Sequence, residues 1–314
     1  MKIILAPMEG VIDFAMREIL TGFGGYDHAV TEFIRINDHL LPEKTFYKYA
    51  PELGNGGLTK SGTPVYIQLL GQNPTLMAEN ASRADEMGAK GIDLNFGCPA
   101  KTVNNHKGGS ILLREPDKVH EIVKAVRLAV PSNTPVSVKM RLGYEDKMLA
   151  IENAKAIEEA GATSLAVHAR TKIEAYRPPA HWHWIAKIKK EIDIPVIANG
   201  DIWSKEDAFK CQKTSECKDI MIGRGGLALP NLASVIKDGN KPLDWPSVCR
   251  LIIGYSHYDR DENADHFLPS RIKQWFSYLK RDYVEAEELF NEIKTLRTLE
   301  DIRQTIHRNY LLKA

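Results

Sequence analysis

Eight short apolar runs recur along the first 222 residues, at 3–6, 28–31, 65–70, 91–95, 136–140, 164–168, 195–198 and 219–222. Each has strand length and little polar alternation, as expected of strands covered on both faces. Helical periodicity fills most of the gaps, clearest over 76–87, 116–130 and 149–160. Two of these segments reach the next run through Gly88 and Gly161, the residue type that ends a helix with a left-handed turn. Eight strands alternating with helices predict a closed (β/α)8 barrel, a fold of about 250 residues. An open doubly wound sheet is the alternative, and the count of eight favours closure. The least regular unit is 35–60, which reads as a long irregular connection containing Gly54-Asn55-Gly56-Gly57.

The texture changes near residue 240. Lys241-Pro242-Leu243-Asp244-Trp245-Pro246 reads as a linker with a helix starting at Pro246, and 247–259, 270–281, 283–297 and 299–310 carry helical periodicity. The expected organisation is a barrel over 1–240 followed by a small all-helical domain over 241–314. With 42 basic against 41 acidic residues, the net charge of +1 excludes a strongly basic nucleic-acid coat. The four cysteines form no C-x-x-C pair and no disulfide framework, so a reducing cytosol is the expected compartment. No run approaches the roughly 18 apolar residues needed to cross a membrane, and the amino-terminal apolar run is too short for a secretory signal.

In a barrel of this kind the chemistry gathers at the C-terminal ends of the strands. Those positions hold Pro7-Met8-Glu9, Gln68, Asn95 through Pro99, Lys139 with Arg141, His168 with Arg170, Asn199-Gly200-Asp201 and Gly223-Arg224-Gly225. The glycines after the last two strands suit a phosphate, held by free backbone N–H groups with Arg224 adding charge. The plainer reading is that they only make tight turns. Lys139 ends an apolar strand, where it either pairs with a carboxylate, holds an anionic cofactor or forms a Schiff base. His168 is either a satisfied core histidine or a ligand-facing one. Cys98, between Gly97 and Pro99 just past a strand, is a better candidate for chemistry than Cys211, Cys217 and Cys249.

Seven segments in order resemble the tRNA-dihydrouridine synthase family: Ala6-Pro7-Met8-Glu9-Gly10-Val11, Gln68-Leu69-Leu70-Gly71, Asp93-Leu94-Asn95-Phe96-Gly97-Cys98-Pro99, Val138-Lys139-Met140-Arg141-Leu142-Gly143, His168-Ala169-Arg170-Thr171, Ile197-Ala198-Asn199-Gly200-Asp201-Ile202 and Met221-Ile222-Gly223-Arg224-Gly225. Arg35 and the stretch Ser270-Arg271-Ile272-Lys273-Gln274-Trp275 are most similar to the bacterial C-type members, associated with uridine 16 of the D-loop. Ala169 departs from the family's more usual glycine.

The resemblance implies FMN at the barrel mouth, NADPH as reductant and tRNA as substrate, in a protein expected to be a metal-free monomer. Carried over position by position, FMN is held by Pro7, Met8, Glu9, Gln68, Lys139, His168, Asn199, Gly200, Asp201, Gly223 and Arg224. Cys98 falls on the catalytic cysteine, protonating C5 of a uracil that takes hydride at C6 from N5 of the reduced flavin. The tRNA is contacted by Arg35, Asn95, Tyr176, Arg271, Lys273, Tyr278 and Lys294. Between 241 and 314 the 12 basic and 12 acidic residues cancel, so RNA recognition there depends on arrangement. Arg271, Gln274, Tyr278 and Arg281 share a helical spacing, and Lys294 and Arg297 are read one turn apart on a later helix. Competing readings are a flavin barrel acting on a free pyrimidine, an aldolase using Lys139, and a catalytically silent RNA-binding protein.

Overall fold

A computed structural model describes residues 1–258 and 264–313. Each apolar run forms a parallel strand: β1 (Ile3–Leu5), β2 (His28–Val30), β4 (Val65–Leu70), β5 (Ile92–Phe96), β6 (Val136–Arg141), β7 (Ser164–His168), β8 (Val196–Asn199) and β9 (Asp219–Ile222). The ring closes because β1 pairs with both β2 and β9, while β2 pairs with β4 through Ala29 opposite Val65 and Val30 opposite Tyr66. The open-sheet alternative is thereby excluded. A two-residue strand β3 (Ile34–Arg35) extends the edge of β4 at its C-terminal end.

The two-residue period of the strands sorts their side chains. Ile3, Leu5, Ile92, Leu94, Val136, Val138 and Met140 join the large cluster shared with the outer helices. The intervening Ile4, Ala6, Val30, Ala166, Ile197 and Met221 form a separate cluster, the packed lower interior of the barrel. Above it the inward positions turn polar, with Gln68, Asp93, Asn95, Ser137, Lys139, Arg141, His168 and Asn199 on successive strands. That polar upper layer gives the barrel an open mouth.

Outer helices run close to their expected spans, at Pro74–Glu86, Pro116–Ala129 and Ala150–Glu159. Gly88 and Gly161 both leave them with φ near +91°. The segment 35–60 corrects the expectation of an irregular connection. It holds a helix over Glu43–Tyr49 and a 3-10 turn over Pro51–Asn55. A buried bidentate pair fixes that turn: Arg17 Nε and Nη2 donate to Glu52 at 2.7 and 2.9 Å. Such long-range anchoring has no local sequence signal.

Among the described residues four helices follow the barrel, at Trp245–Ser256, Ala264–Leu279, Val284–Ile293 and Leu299–Lys313. The first is capped by Asp244, whose side chain accepts from Ser247 N–H; its expected end at 259 lies outside the described residues. The third ends at Ile293 with Lys294 as its C-cap, so Lys294 and Arg297 do not share a helix as expected. These helices pack directly on the barrel, and one apolar cluster runs through both. Trp275 Nε1 donates to Leu227 O at 3.0 Å, Tyr255 Oη to Asp13 Oδ2 at 3.1 Å, and Asn231 clasps Lys241 O and Leu243 N–H. No helix of the described residues is long and apolar enough to cross a membrane.

Candidate active site

The mouth of the barrel is a cavity of about 600 Å³. Every residue expected to hold the cofactor lines it, from Pro7, Met8, Glu9 and Gln68 through Lys139, His168, Asn199, Gly200 and Asp201 to Gly223 and Arg224. Cys98, Asn95, Tyr176 and Tyr278 line it as well. The cavity volume falls within the roughly 300–1,000 Å³ typical of small-molecule sites.

Lys139, Arg141 and Arg224 bring three cations to this cavity, and the carboxylates of Glu9 and Asp201 line it as well. Lys139 Nζ lies 3.3 Å from Asn199 Oδ1, and among the described residues no carboxylate forms an ion pair with it. Burial pushes its pKa down to about 8, with Arg141 adding to the shift and Asp93 opposing it. Asn199 is itself fixed by donating to Met221 O at 2.8 Å, so it aims the lysine. His168 is held neutral, by burial first and then by the positive charges of Arg141, Lys139, Arg170 and Arg224. Burial beside other cations suits both a bound anion and a Schiff-base lysine, so Lys139 by itself does not separate the cofactor reading from the aldolase one.

The loops after β8 and β9 build the far wall. Gly200 has φ +123° and Asp201 φ +50°, and a Cβ on Gly200 would stand 3.1 Å from the His168 ring. Trp182 Nε1 donates to Gly200 O at 2.8 Å and locks the turn. A Cβ on Gly225 would collide with the carbonyl of Ile202, so a side chain is excluded there. The Asp201 carboxylate is committed to arginines, accepting from Arg170 Nη2 and, at 3.3 Å, from Arg224 Nη2. It therefore orients Arg224 from the cavity wall. Ala169 is accommodated without strain, giving its N–H to Asn199 O and accepting from His181 N–H.

Cys98 sits on the opposite rim, buried except for 8% of its surface. Burial raises its pKa most; a hydrogen bond from the Ala100 backbone opposes this, the Glu9 carboxylate adds to the rise, and Arg141 and Arg35 oppose it more weakly. The group at pH 7 is the neutral thiol. Asn95 Oδ1 accepts from the N–H of Gly97 and of Cys98, both at 2.9 Å. The Cys98 carbonyl accepts from Ser110 Oγ at 2.9 Å and Asn104 Nδ2 at 3.0 Å. Behind Asn95 a buried chain continues: its amide donates to Gln68 Oε1, Gln68 Nε2 donates to Asp93 Oδ2, and Ser137 Oγ donates to Asp93 Oδ1. Burial pushes Asp93 up to about 6, its two hydrogen bonds limiting the rise.

Several contributors carried no expected role. Arg141 donates to Gly97 O at 2.9 Å and to Thr171 O and Ala175 O, tying the cysteine loop to the loop bearing Tyr176. Trp203 lies between Arg224 and Arg281, 4.9 and 4.2 Å from its ring centroid, and joins the barrel mouth to the end of the second C-terminal helix. Arg141 and Asp93 stand within the segments already singled out; Trp203 had no signal beyond following Asp201.

Not every expected RNA contact reaches the mouth. Arg271 approaches the first barrel loop, close enough that a Cβ on Gly10 would meet its Nη1 at 3.1 Å, and it donates to Gln274 Oε1. Lys273, two residues on and so on another face of the helix, donates to Leu296 O within the helical region. Lys294 is exposed and bonds Asn291 Oδ1 at 2.8 Å. Arg35 lines a second, smaller cavity.

The fold and the site define a TIM-barrel enzyme with a cationic mouth and a protonated cysteine at its rim. The Dihydrouridine synthase (Dus) family profile matches residues 4–310, and the chain belongs to that family. It is an oxidoreductase of that class. Among curated proteins it is 53% identical over 308 residues to a tRNA-dihydrouridine(16) synthase of Shewanella oneidensis, covering 98% of each chain. It is 47% identical to the Haemophilus influenzae protein of that name, covering 96% of this chain and 98% of that one. Among solved structures, 2-naphthoyl-CoA reductase bound to 2-naphthoyl-CoA aligns with TM-score 0.58 at 15% identity, over 76% of this chain and 50% of that chain. A variant of NCR from Zymomonas mobilis aligns with TM-score 0.54 at 14% identity, over 77% of this chain and 88% of that one. These two likenesses concern the fold alone.

Proposed function

We propose that this protein reduces the 5,6 double bond of uridine 16 in the tRNA D-loop, using FMN as its redox group and NADPH as the reductant. The observation that carries this reading is a protonated thiol, Cys98, facing a cavity whose opposite wall is cationic and glycine-turned. That wall fits FMN: Arg224 and the backbone N–H groups at Gly200 and Gly223 would hold its phosphate, and the ammonium of Lys139, which forms no ion pair among the described residues, would favour a ring that gains electrons. Pro7, Met8, Glu9 and Gln68 complete the enclosure, while Asn199 and Asp201 hold Lys139 and Arg224 in place. Bound there and reduced by NADPH, FMN would supply the hydride for C6 of the uracil.

The protein's own task is then a proton at the right carbon. Addition at C6 leaves negative charge at C5 and the C4 carbonyl. Cys98 protonates C5 as a general acid, and its raised pKa keeps the proton available at neutral pH. Asn95 fixes the backbone from which the thiol projects. The target base is stacked in folded RNA and must be drawn out to reach this cavity. We assign that docking to the helical region 241–314 together with Tyr176, Tyr278 and Arg271, and the redox step to 1–240. The relatives named tRNA-dihydrouridine(16) synthase support the choice of position.

The test is to purify the protein, record its flavin absorption and incubate it with NADPH and unmodified tRNA. Dihydrouridine mapped at position 16 is the expected result. Colourless protein that takes up no FMN, or dihydrouridine at another position, overturns the reading.

A further inference from the structure

A second cavity of about 360 Å³ lies behind the wall that carries Cys98. The wall is one apolar layer in which Phe33, Leu70, Cys98 and Val103 pack together with Ala100 against them. Phe33, Cys98 and Ala100 line the first cavity; Leu70 and Val103 line the second. Ile36 adds to the apolar lining, and Arg35, Asn37, Asp38, Gln72 and His106 supply polar groups. His106 Nδ1 lies 2.6 Å from Thr102 O, so the ring donates there and leaves Nε2 to accept. Among the described residues the Arg35 guanidinium has no hydrogen-bond or ion-pair partner.

We propose that this second cavity takes the nucleobase adjoining the target uridine. The proposal rests on the tRNA reading given above. Drawing one base out of a stack strips its neighbour of a stacking partner. A slot floored by the nearly buried Ile36, Leu70 and Val103 and rimmed mostly by polar groups replaces edge contacts for that neighbour, since single-stranded RNA bases are recognised by bonding along their edges as well as by packing. A free anion would find Arg35 as a cation but also meet the Asp38 carboxylate at the same rim, where it is held by His39 Nδ1 at 2.6 Å. A purely apolar ligand would make no use of the polar rim formed by Asn37, Gln72 and His106. The shared wall places the slot one side-chain layer from the thiol, so a strand leading one base into the first cavity runs past the second. Val103 and His106 also belong to the loop that follows Cys98, pinned to the Cys98 carbonyl by Asn104 and Ser110. A base seated against that loop braces the segment that presents the thiol.

Unmodified tRNA transcripts carrying an abasic ribose on either side of the target test this, assayed with wild-type protein, His106→Ala and Asn37→Ala. Both residues are exposed, so neither substitution opens the core. One of the two abasic tRNAs should lose about tenfold in kcat/KM with wild-type protein, the size expected of one base–side-chain contact set. Each variant should lose activity on intact tRNA and show little further loss on that abasic tRNA. Equal conversion of both abasic tRNAs and intact tRNA overturns the proposal. So does an abasic penalty unchanged in both variants, or variants that alter only the KM for NADPH. Wild-type protein that converts intact tRNA while ignoring the flanking base sinks the second cavity alone; failure to convert intact tRNA sinks both readings.

Discussion

Asn95 Oδ1 accepts the backbone N–H of Cys98 at 2.9 Å, and this one amide decides where the thiol stands. The same oxygen holds Gly97, and the amide nitrogen is anchored on Gln68, so the cysteine loop is tied to the barrel interior. Asn95 was expected to touch the substrate nucleotide; its geometry makes it a positioning residue with one amide proton left over. Asn95→Ala should lower kcat by about 100-fold, the cost of a misplacement near 1 Å. Asn95→Asp keeps the acceptor and should recover part of that loss. Single-turnover rates on unmodified tRNA check both, and a KM effect without a kcat effect would contradict the positioning role.

Cys98→Ala should retain FMN and tRNA binding and lose about 10²- to 10⁴-fold in the step that reoxidises the flavin with tRNA, the range for a missing general acid. NADPH oxidation by the flavin should persist. Near-normal conversion of unmodified tRNA would remove the role.

Lys139 sets a pH dependence. Its folded pKa is lowered to about 8, so the charge is present below that value and lost as pH rises through it. An anionic ligand favours the charged form and moves the loss upward in the complex. The Kd of the apoprotein for FMN should therefore rise above pH 8, by at most about tenfold per pH unit. Fluorescence-quench titrations across pH measure this. Lys139→Met should bind FMN more weakly and flatten the profile; an unchanged slope would mean another group is responsible.

Arg271 and Lys273 should behave differently despite their proximity in sequence. Arg271→Ala should weaken tRNA binding and reduce the salt slope by about one, as expected for a lost phosphate contact. Lys273→Ala, which removes a hydrogen bond to Leu296 O, should leave that slope unchanged and lower stability slightly. Filter binding over a salt series separates the two. Equal loss of slope in both variants would place Lys273 on the RNA.

Arg17→Ala should destabilise the fold by about 3–5 kcal/mol, because it leaves Glu52 buried without its partner. Arg17→Met combined with Glu52→Leu should recover most of that. Urea unfolding of the three proteins measures the difference, and a single variant as stable as wild type would show that the pair is dispensable.

The barrel was legible because its signals are local. Each apolar run and each helical period lies within one stretch of chain, and glycine exits such as Gly88 declare themselves in place. The polar residues at strand ends were legible for the same reason: once a barrel is granted, position along a strand gives depth. The alternation of Asp93 and Asn95, and of Ser137, Lys139 and Arg141, runs against the expected lack of polar alternation, and only the closed barrel shows it to be the upper lining.

What the chain by itself determined, then, was the strand count, the identity of the mouth-facing side chains and the family. What only the tertiary structure decided was their partners. Closure through β2 and β4, the order in segment 35–60, the commitment of Asp201 to two arginines and the turning of Lys273 away from the mouth all depend on residues far apart in sequence. A strand's period specifies which face a side chain takes, but its neighbour across the barrel is set by ring closure and by the angular phase of helices packed from outside.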